Sequence, residues 1–383
     1  MTWLMIAAIN IQSYDGISKK IISQASALAI DNKCCYLGCF IDDIPTIIGV
    51  SQNKKYSVIE SNNNFNDNST GSLKYIRQCQ ELPRFIKKSD LINQCQGFYV
   101  RHMLPNKQLI KLLSWLNIHN KKIVYEIPTY PYYYEQMSEA HSKIKTGARL
   151  VIESLYWPLI YNKVNRLTVI RCRTKSLHLK KMFDIKNGVA CDLTSTNLKH
   201  SFSETYFNII GIGTIYKYHG YDKMIEAIIN ARGIVRGKKI RFYIVGESDE
   251  ISNLRKDVAN CVYRECFIFC GKKLGEELEK LYSIADLAVG TLALNLRNAD
   301  IDTAIKNIEY LSRKIPIVTS GKIFDINENS ELYKIIEQKN PINISDLLDF
   351  SVEYYKIDRT IQINKILKRF SWSQIMASAI DEL

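Results

Sequence analysis

Residues 207–227 read Phe-Asn-Ile-Ile-Gly-Ile-Gly-Thr-Ile-Tyr-Lys-Tyr-His-Gly-Tyr-Asp-Lys-Met-Ile-Glu-Ala. The apolar run 207–212 has the length of a strand. Gly211 and Gly213 break it, and Met224, Ile225, Ala227 and Ile228 then recur at helical spacing. A strand, a glycine turn and a helix in that order form a phosphate-binding geometry, because the helix-start amides and the positive end of the dipole point at the ligand. Lys217 and His219 fall in the turn. Doubly wound domains that bind nothing also have such turns, so its meaning depends on the rest of the chain.

The rhythm continues beyond it. A strand at 240–245 ends in Gly246-Glu247, a helix follows near Leu254, and a strand at 266–269 ends in Cys270-Gly271. A helix at 276–284, a strand at 287–289 ending at Gly290, a loop at 291–302, a helix at 303–313 and a strand at 315–319 complete the series. A glycine or small polar residue at each strand exit lets the backbone approach a ligand closely, as one nucleotide-sized site requires.

The first half alternates in the same way, which argues for a mostly parallel sheet covered on both faces. Strands are expected at 3–10, 34–41, 98–101, 122–127, 166–171 and 185–190, with an extra hairpin at 44–59 and an Asn-rich loop at 61–71. The first helix carries Ile21, Ile22, Ala25, Leu28 and Ala29, and another runs from 106 to 118. A long helical stretch at 136–162 contains Pro158, expected to kink or break it. The exit of the 122–127 strand holds two prolines and five tyrosines between Tyr125 and Glu135. Since ligands of doubly wound sheets bind where strands end, Arg101-His102 and Glu126 are expected to point into a cleft. Aromatic rings beside a carboxylate suit a sugar; the alternative is a tyrosine-rich loop packed on its own domain. Residues 191–204 are polar, lack periodicity and read as the interdomain linker.

A chain of 383 residues exceeds the size of one core, and its 46% apolar and 24% charged residues are those of a globular protein. The net charge of +13 favours anionic partners, among them a phosphorylated ligand or an acidic membrane surface. Basic clusters such as Arg84, Lys87 and Lys88 join no nucleic-acid motif, so no nucleic-acid partner is expected. The ten cysteines lack metal-ligand spacing, so no metal is expected, and they fit a reducing, cytoplasmic compartment. No stretch has the apolar length of a membrane span, so any membrane contact is expected to be peripheral.

The ordered set Gly211-Ile212-Gly213, His219-Gly220-Tyr221-Asp222, Ile244-Val245-Gly246, Phe269-Cys270-Gly271, Leu281-Tyr282-Ser283-Ile284-Ala285-Asp286, Ile305-Lys306-Asn307-Ile308-Glu309-Tyr310-Leu311 and Ile315-Pro316-Ile317-Val318 resembles the retaining glycosyltransferases of the GT-B fold, family four. The loop from Tyr125 to Pro131 and the His-Gly-Tyr-Asp variant resemble the branch that builds bacterial capsule and other surface polysaccharides. The resemblance implies an α/β GT-B fold, two Rossmann-like doubly wound domains facing across a cleft. An acceptor domain is expected at 1–200, a donor domain at 201–366, and a last helix at 367–383 crossing back to the first domain.

It also implies a nucleotide-sugar donor, expected to be a UDP-sugar, a lipid-linked or glycan acceptor, no cofactor and no metal. By position, Glu309 matches the glutamate that holds the ribose hydroxyls, and Lys306 at the helix start meets the diphosphate. His219 and Thr214 stand where the pattern has lysine and arginine, with Lys217 as the compensating cation. The other glutamate of the pair falls on Ile301, leaving Asp300 or Asp302 as substitutes, or no such contact. Gly16 matches the glycine loop, and Gly213, Gly220, Gly246 and Gly271 line the donor site with Asp302. Glu126 sits where many relatives place a histidine beside the reacting sugar. Glu126, His219 and Lys306 are the expected catalytic set, and Arg101, His102 and Tyr130 the expected acceptor contacts. Two other readings remain: a non-catalytic GT-B subunit, and a nicotinamide-dependent enzyme, which the single glycine Gly16 in the first turn disfavours.

Overall fold

The computed structural model describes residues 1–13, 16–29, 34–65, 67, 69–138, 140, 142–189 and 202–383. The chain forms two compact units, Met1–Arg171 with Ser176–Ala190 and Ser371–Leu383, and Cys172–Lys175 with Cys191–Phe370. The boundary expected after residue 200 lies outside the described residues.

The first unit contains β1 (Trp3–Asn10), β2 (Cys35–Ile41), β3 (Ile44–Val50), β4 (Tyr56–Ser61), β5 (Gly97–Arg101), β6 (Lys122–Tyr130), β7 (Arg166–Arg171) and β8 (Met182–Ile185). They form one sheet in the order β4-β3-β2-β1-β5-β6-β7-β8. Pairing is parallel from β2 to β8, while β3 and β4 add an antiparallel edge. The central strands read as unbroken apolar runs because helices cover both faces. Helices Gly16–Leu28 and Trp372–Ile380 cover one face over Met5, Leu37 and Val124. Helices Gly71–Lys88 and Lys107–Ile118 supply Leu82, Phe85, Leu109 and Leu112 to the other. The strand expected at 185–190 forms earlier, as β8, which ends at Ile185, and Val189 bridges to Ser371, which ties the last helix to this unit.

Two departures involve proline. Helix Gly71–Lys88 is masked in the sequence pattern because Pro83 sits inside its apolar period of Cys79, Leu82, Phe85 and Ile86. In the stretch expected as one helix from 136 to 162, two helices form, Tyr133–Ser138 and Lys143–Lys163, and Pro158 lies within the second without ending it. Pro158 is exposed, so the carbonyl it leaves unbonded faces water and the cost stays local.

The second unit contains β9 (Tyr206–Ile212), β10 (Ile234–Val235), β11 (Lys238–Val245), β12 (Phe267–Gly271), β13 (Leu287–Val289), β14 (Ile301–Asp302), β15 (Ile317–Thr319), β16 (Lys322–Ile323) and β17 (Tyr333–Ile335). The main sheet runs β10-β11-β9-β13-β15-β17, with β12 also paired to β11. All its pairings are parallel except the short β10–β11 hairpin. Strands are added outward from β9 on one side and then, from β13, on the other. The order therefore reverses between β9 and β13, and in the first unit between β1 and β5. A ligand of such a sheet binds beyond the carboxyl ends of the strands at that reversal.

Candidate donor site

In the second unit the strand exits are stitched together. Gly213 N donates to Val245 O at 3.0 Å, Gly246 N to Gly271 O at 2.9 Å, and Gly290 N to Val318 O at 2.8 Å. Gly246 has φ +138°, and a Cβ there would lie 2.0 Å from the Gly213 carbonyl oxygen. Alanine at 246 is expected to destabilise this unit by more than the roughly 1–2 kcal/mol of an unfavourable backbone alone, read as a lowered unfolding midpoint. Gly271, at the end of β12, is half-buried.

After Gly213 the chain passes exposed Thr214 and Lys217, makes the single turn Lys217–His219, and enters helix Tyr221–Asn230 through Gly220 at φ +66°. A Cβ on Gly220 would meet Leu292 Cβ at 3.0 Å and Ala293 N at 3.1 Å. That close approach lets Leu292 N donate to His219 O at 2.9 Å and Ala293 N to Tyr218 O at 3.1 Å. The turn and the loop after β13 thus support each other across the strand reversal.

His219 is buried, and its Nδ1 accepts the Tyr216 amide at 2.9 Å. Burial, with the charges of Lys306 and Arg297, holds its pKa well below the usual histidine range. The ring is therefore neutral with its proton on Nε2, a fixed hydrogen-bond donor.

Lys306 lies in the first turn of helix Ile305–Ser312 and is buried. Its Nζ donates to Gly290 O at 3.0 Å and to the Tyr221 hydroxyl at 3.1 Å. Burial pushes its pKa down to about 7, with Asp302 opposing and Arg297 adding to the fall. The Tyr310 hydroxyl accepts Ile212 N at 2.9 Å, and both tyrosine hydroxyls lie 3.4 Å from Val289 O. One buried network thus joins the ends of β9 and β13 to the Lys306 helix. In the sequence Tyr221 and Tyr310 stand out only as motif letters. Arg297 is not signalled there at all, although it is the sole cation in the 291–302 loop at the strand reversal. Arg297 is buried with its guanidinium 4.7 Å from the centre of the Tyr218 ring.

Glu309, one turn beyond Lys306, is half-buried with Oε2 3.5 Å from the Tyr282 hydroxyl. Asp302 departs from expectation. It is buried, Oδ2 accepts Thr291 N and Thr319 Oγ1 at 2.9 Å each, and Oδ1 accepts Ala304 N at 3.1 Å. A carboxylate so engaged pins the β13 loop to β15 and to the helix start, and does not present itself to a donor sugar. Ile301 is buried in β14, and Asp300 accepts Thr174 N at 2.7 Å. The engaged Asp302 is thus not placed to stand in for the absent glutamate, whereas Asp300 is exposed and bonded through Oδ1.

In the first unit Glu126 also departs from expectation. Its side chain has no exposure; Oε2 accepts Gln24 Nε2 at 2.6 Å and the Tyr99 hydroxyl at 2.7 Å, while Oε1 lies 3.1 Å from Arg101 and 3.2 Å from Lys20. Burial opposes its ionisation, but the two cations and these hydrogen bonds bring its pKa down to about 2. The four partners leave no lone pair for a sugar hydroxyl, so Glu126 positions its neighbours. Nor do Arg101 and His102 share a cleft, because successive residues leave a strand on opposite faces. Arg101 faces helix Gly16–Leu28 with Glu126, whereas His102 packs among Tyr125, Tyr132 and Trp157, its Nδ1 3.1 Å from the Tyr125 hydroxyl. Burial, then Arg101 and Arg149, push the His102 pKa down to about 3, so it is neutral. Tyr130 lies apart, with the Arg171 guanidinium 5.5 Å from its ring centre. Gly16 is exposed at the first position of its helix.

Residues 196–362 match the family model described as Glycosyl transferases group 1. No curated protein sequence matches the chain. Among solved structures, the chain is similar to a glycosyltransferase from Rickettsia africae, at 12% identity and a TM-score of 0.61 over 100% of this chain and 99% of that one. It is similar to the Anabaena protein HepE in complex with UDP-glucose, at 12% identity and a TM-score of 0.56 over 99% and 94% of the two chains. It is also similar to a UDP-forming trehalose-phosphate synthase from Burkholderia xenovorans, at 9% identity and a TM-score of 0.57 over 98% of each chain. Residues 196–362 thus match the group 1 glycosyltransferase model, and the chain as a whole shares the GT-B fold of these solved structures.

Proposed function

We propose that the protein transfers a sugar, with retention, from a nucleotide-sugar donor, a UDP-sugar by preference, to a lipid-linked or glycan acceptor in bacterial surface polysaccharide synthesis. The observation that carries this reading is the cation set at the reversal of the second sheet. The usual pair of cations is missing at Thr214 and His219, yet Lys306 and Arg297 enter from the β13 side, next to the glycine exits of β9 and β13. The leaving diphosphate meets Lys306, the Nε2–H of His219, the amides at the start of helix Tyr221–Asn230 and, from the solvent side, Lys217. Preorganised donors aimed at developing negative charge usually contribute more to such catalysis than any other single effect. Glu309 accepts the ribose hydroxyls, since a carboxylate takes two such donors. No metal step is needed in this scheme, because protein cations meet the charge. The setting we propose is the cytoplasmic side of an anionic membrane, where a basic protein meets a diphosphate-linked acceptor.

Lys306 gives the scheme a pH signature. Its pKa is lowered to about 7, and only its protonated form pairs with the diphosphate. Donor affinity should fall as pH rises above 7, by up to about tenfold per pH unit, whereas Lys306→Ala should show a flat profile. Calorimetric titration with a nucleotide sugar between neutral and alkaline pH reads this directly, since its diester phosphates keep their charge across that window.

A second reading, a GT-B subunit that binds sugar or supports a partner transferase, draws on Ile301 and on the engaged carboxylate of Asp302. Donor hydrolysis separates the two. An enzyme releases nucleoside diphosphate from its donor in the presence of acceptor, and a subunit releases none.

A further inference from the structure

Helix Lys143–Lys163 is built inside out. Of its 21 residues only Glu153 and Ile160 are buried. Ile144, Val151 and Leu155 are 86%, 62% and 70% exposed, and Ile152 and Leu159 are exposed beside them. At 100° per residue, Ile144, Ala148, Val151, Leu155 and Leu159 fall on one outward stripe about 22 Å long, while Glu153 and Ile160 point the other way. The helix's one carboxylate, Glu153, is turned inward, where it accepts the Tyr132 hydroxyl at 3.1 Å. Every exposed charge on the helix is basic: Lys143, Lys145 and Arg149. Tyr133 and Tyr134 are exposed on the helix just before it. Among the described residues no helix is long and apolar enough to cross a membrane, so this stripe has no transmembrane explanation.

We infer that this helix lies in the interface of an anionic bilayer, its apolar stripe in the acyl boundary and its lysines and arginine on acidic headgroups. The inference rests on the reading that the acceptor is membrane-bound, and names the surface that brings the first unit to it. Charge chooses the occupant. An apolar stripe with basic flanks and amphipathic tyrosines nearby is the composition of an interfacial helix. A second copy of the chain is a poorer fit. A two-fold contact would set Lys143, Lys145 and Arg149 against the same cations of the partner copy, with no exposed carboxylate on the helix to answer them.

The test is flotation of the full chain with phosphatidylcholine vesicles, with and without phosphatidylglycerol, for the wild type and for the double variant Val151→Asp/Leu155→Asp. Both positions are exposed, so the variant should keep the wild-type unfolding midpoint. The wild type should float with phosphatidylglycerol vesicles and only weakly with pure phosphatidylcholine. The double variant should lose at least about tenfold in partitioning. Equal flotation of wild type and variant overturns the inference, as does no flotation at any phosphatidylglycerol content. So does a lipid-free dimer that the double variant abolishes, which would assign the stripe to a second copy. Nucleotide-sugar binding, measured alongside, distinguishes failure of the donor reading from failure of the docking surface. Loss of the first leaves flotation untouched.

Discussion

Replacing Lys306 with alanine is expected to lower sugar turnover by about a hundredfold or more, with little loss of stability. The first part follows from removing a preorganised cation at the leaving diphosphate, a change that costs roughly 2.7–4 kcal/mol in comparable oxyanion sites. The second follows from the lysine's own situation. Folding takes its amine out of water and lowers its pKa from 10.5 to about 7. Between those two values the unfolded chain holds the proton more tightly, so this group's contribution to stability grows as pH rises from 7 to 10.5 and is lost as pH falls toward 7. A group that burdens the neutral-pH fold is retained for some other purpose. Steady-state rates beside an unfolding curve decide the matter. Activity within a few-fold of wild type would remove Lys306 from the site, and a large loss of stability would make its role structural.

Glu126→Ala should have the largest effect on stability, with the damage confined to the first unit. The carboxylate has zero exposure and sits between Lys20 and Arg101, whose side chains are themselves only 5% and 12% exposed. Removing one partner of a buried ion pair strands the others and costs about 3–5 kcal/mol, which for a unit of this size corresponds to a midpoint lower by roughly 6–20 °C. Glu126→Gln, which keeps hydrogen-bond acceptance, should lose less, and the double change Glu126→Leu/Lys20→Met should recover part of the deficit. Acid gives an independent check. The pKa of Glu126 is about 2 in the fold against 4.5 outside it, so its stabilisation is complete above 4.5 and disappears as pH falls from there through 2. Equal stability of wild type and Glu126→Ala would contradict the network.

The parts of this molecule that are legible in its sequence are those in which local pattern and burial agree. Residues 207–213 are apolar apart from Asn208 up to their glycines because β9 is covered on both faces and its exit must admit a backbone neighbour. The Lys306-to-Glu309 spacing is legible because one helical turn puts both residues on one side. What stays hidden depends on partners distant in sequence. Glu126 reads as a free carboxylate because Lys20 and Gln24, a helical turn apart on the first helix, give no sign of facing inward. Asp302 reads as available because its partners Thr291 and Thr319 come from two other strand exits. Arg297 carries no periodic or motif signal, and its importance emerges only once β13 is seen beside β9. The place of His102 is different, since strand alternation alone already sets it on the face opposite Arg101.

The most direct test is a set of binding isotherms for purified protein against nucleoside diphosphates and their sugar esters. Tight binding of one nucleoside diphosphate, expected to be UDP, weakened by Lys306→Ala, is the result that the cation set of the second unit predicts. No binding of any nucleotide or nucleotide sugar would contradict it.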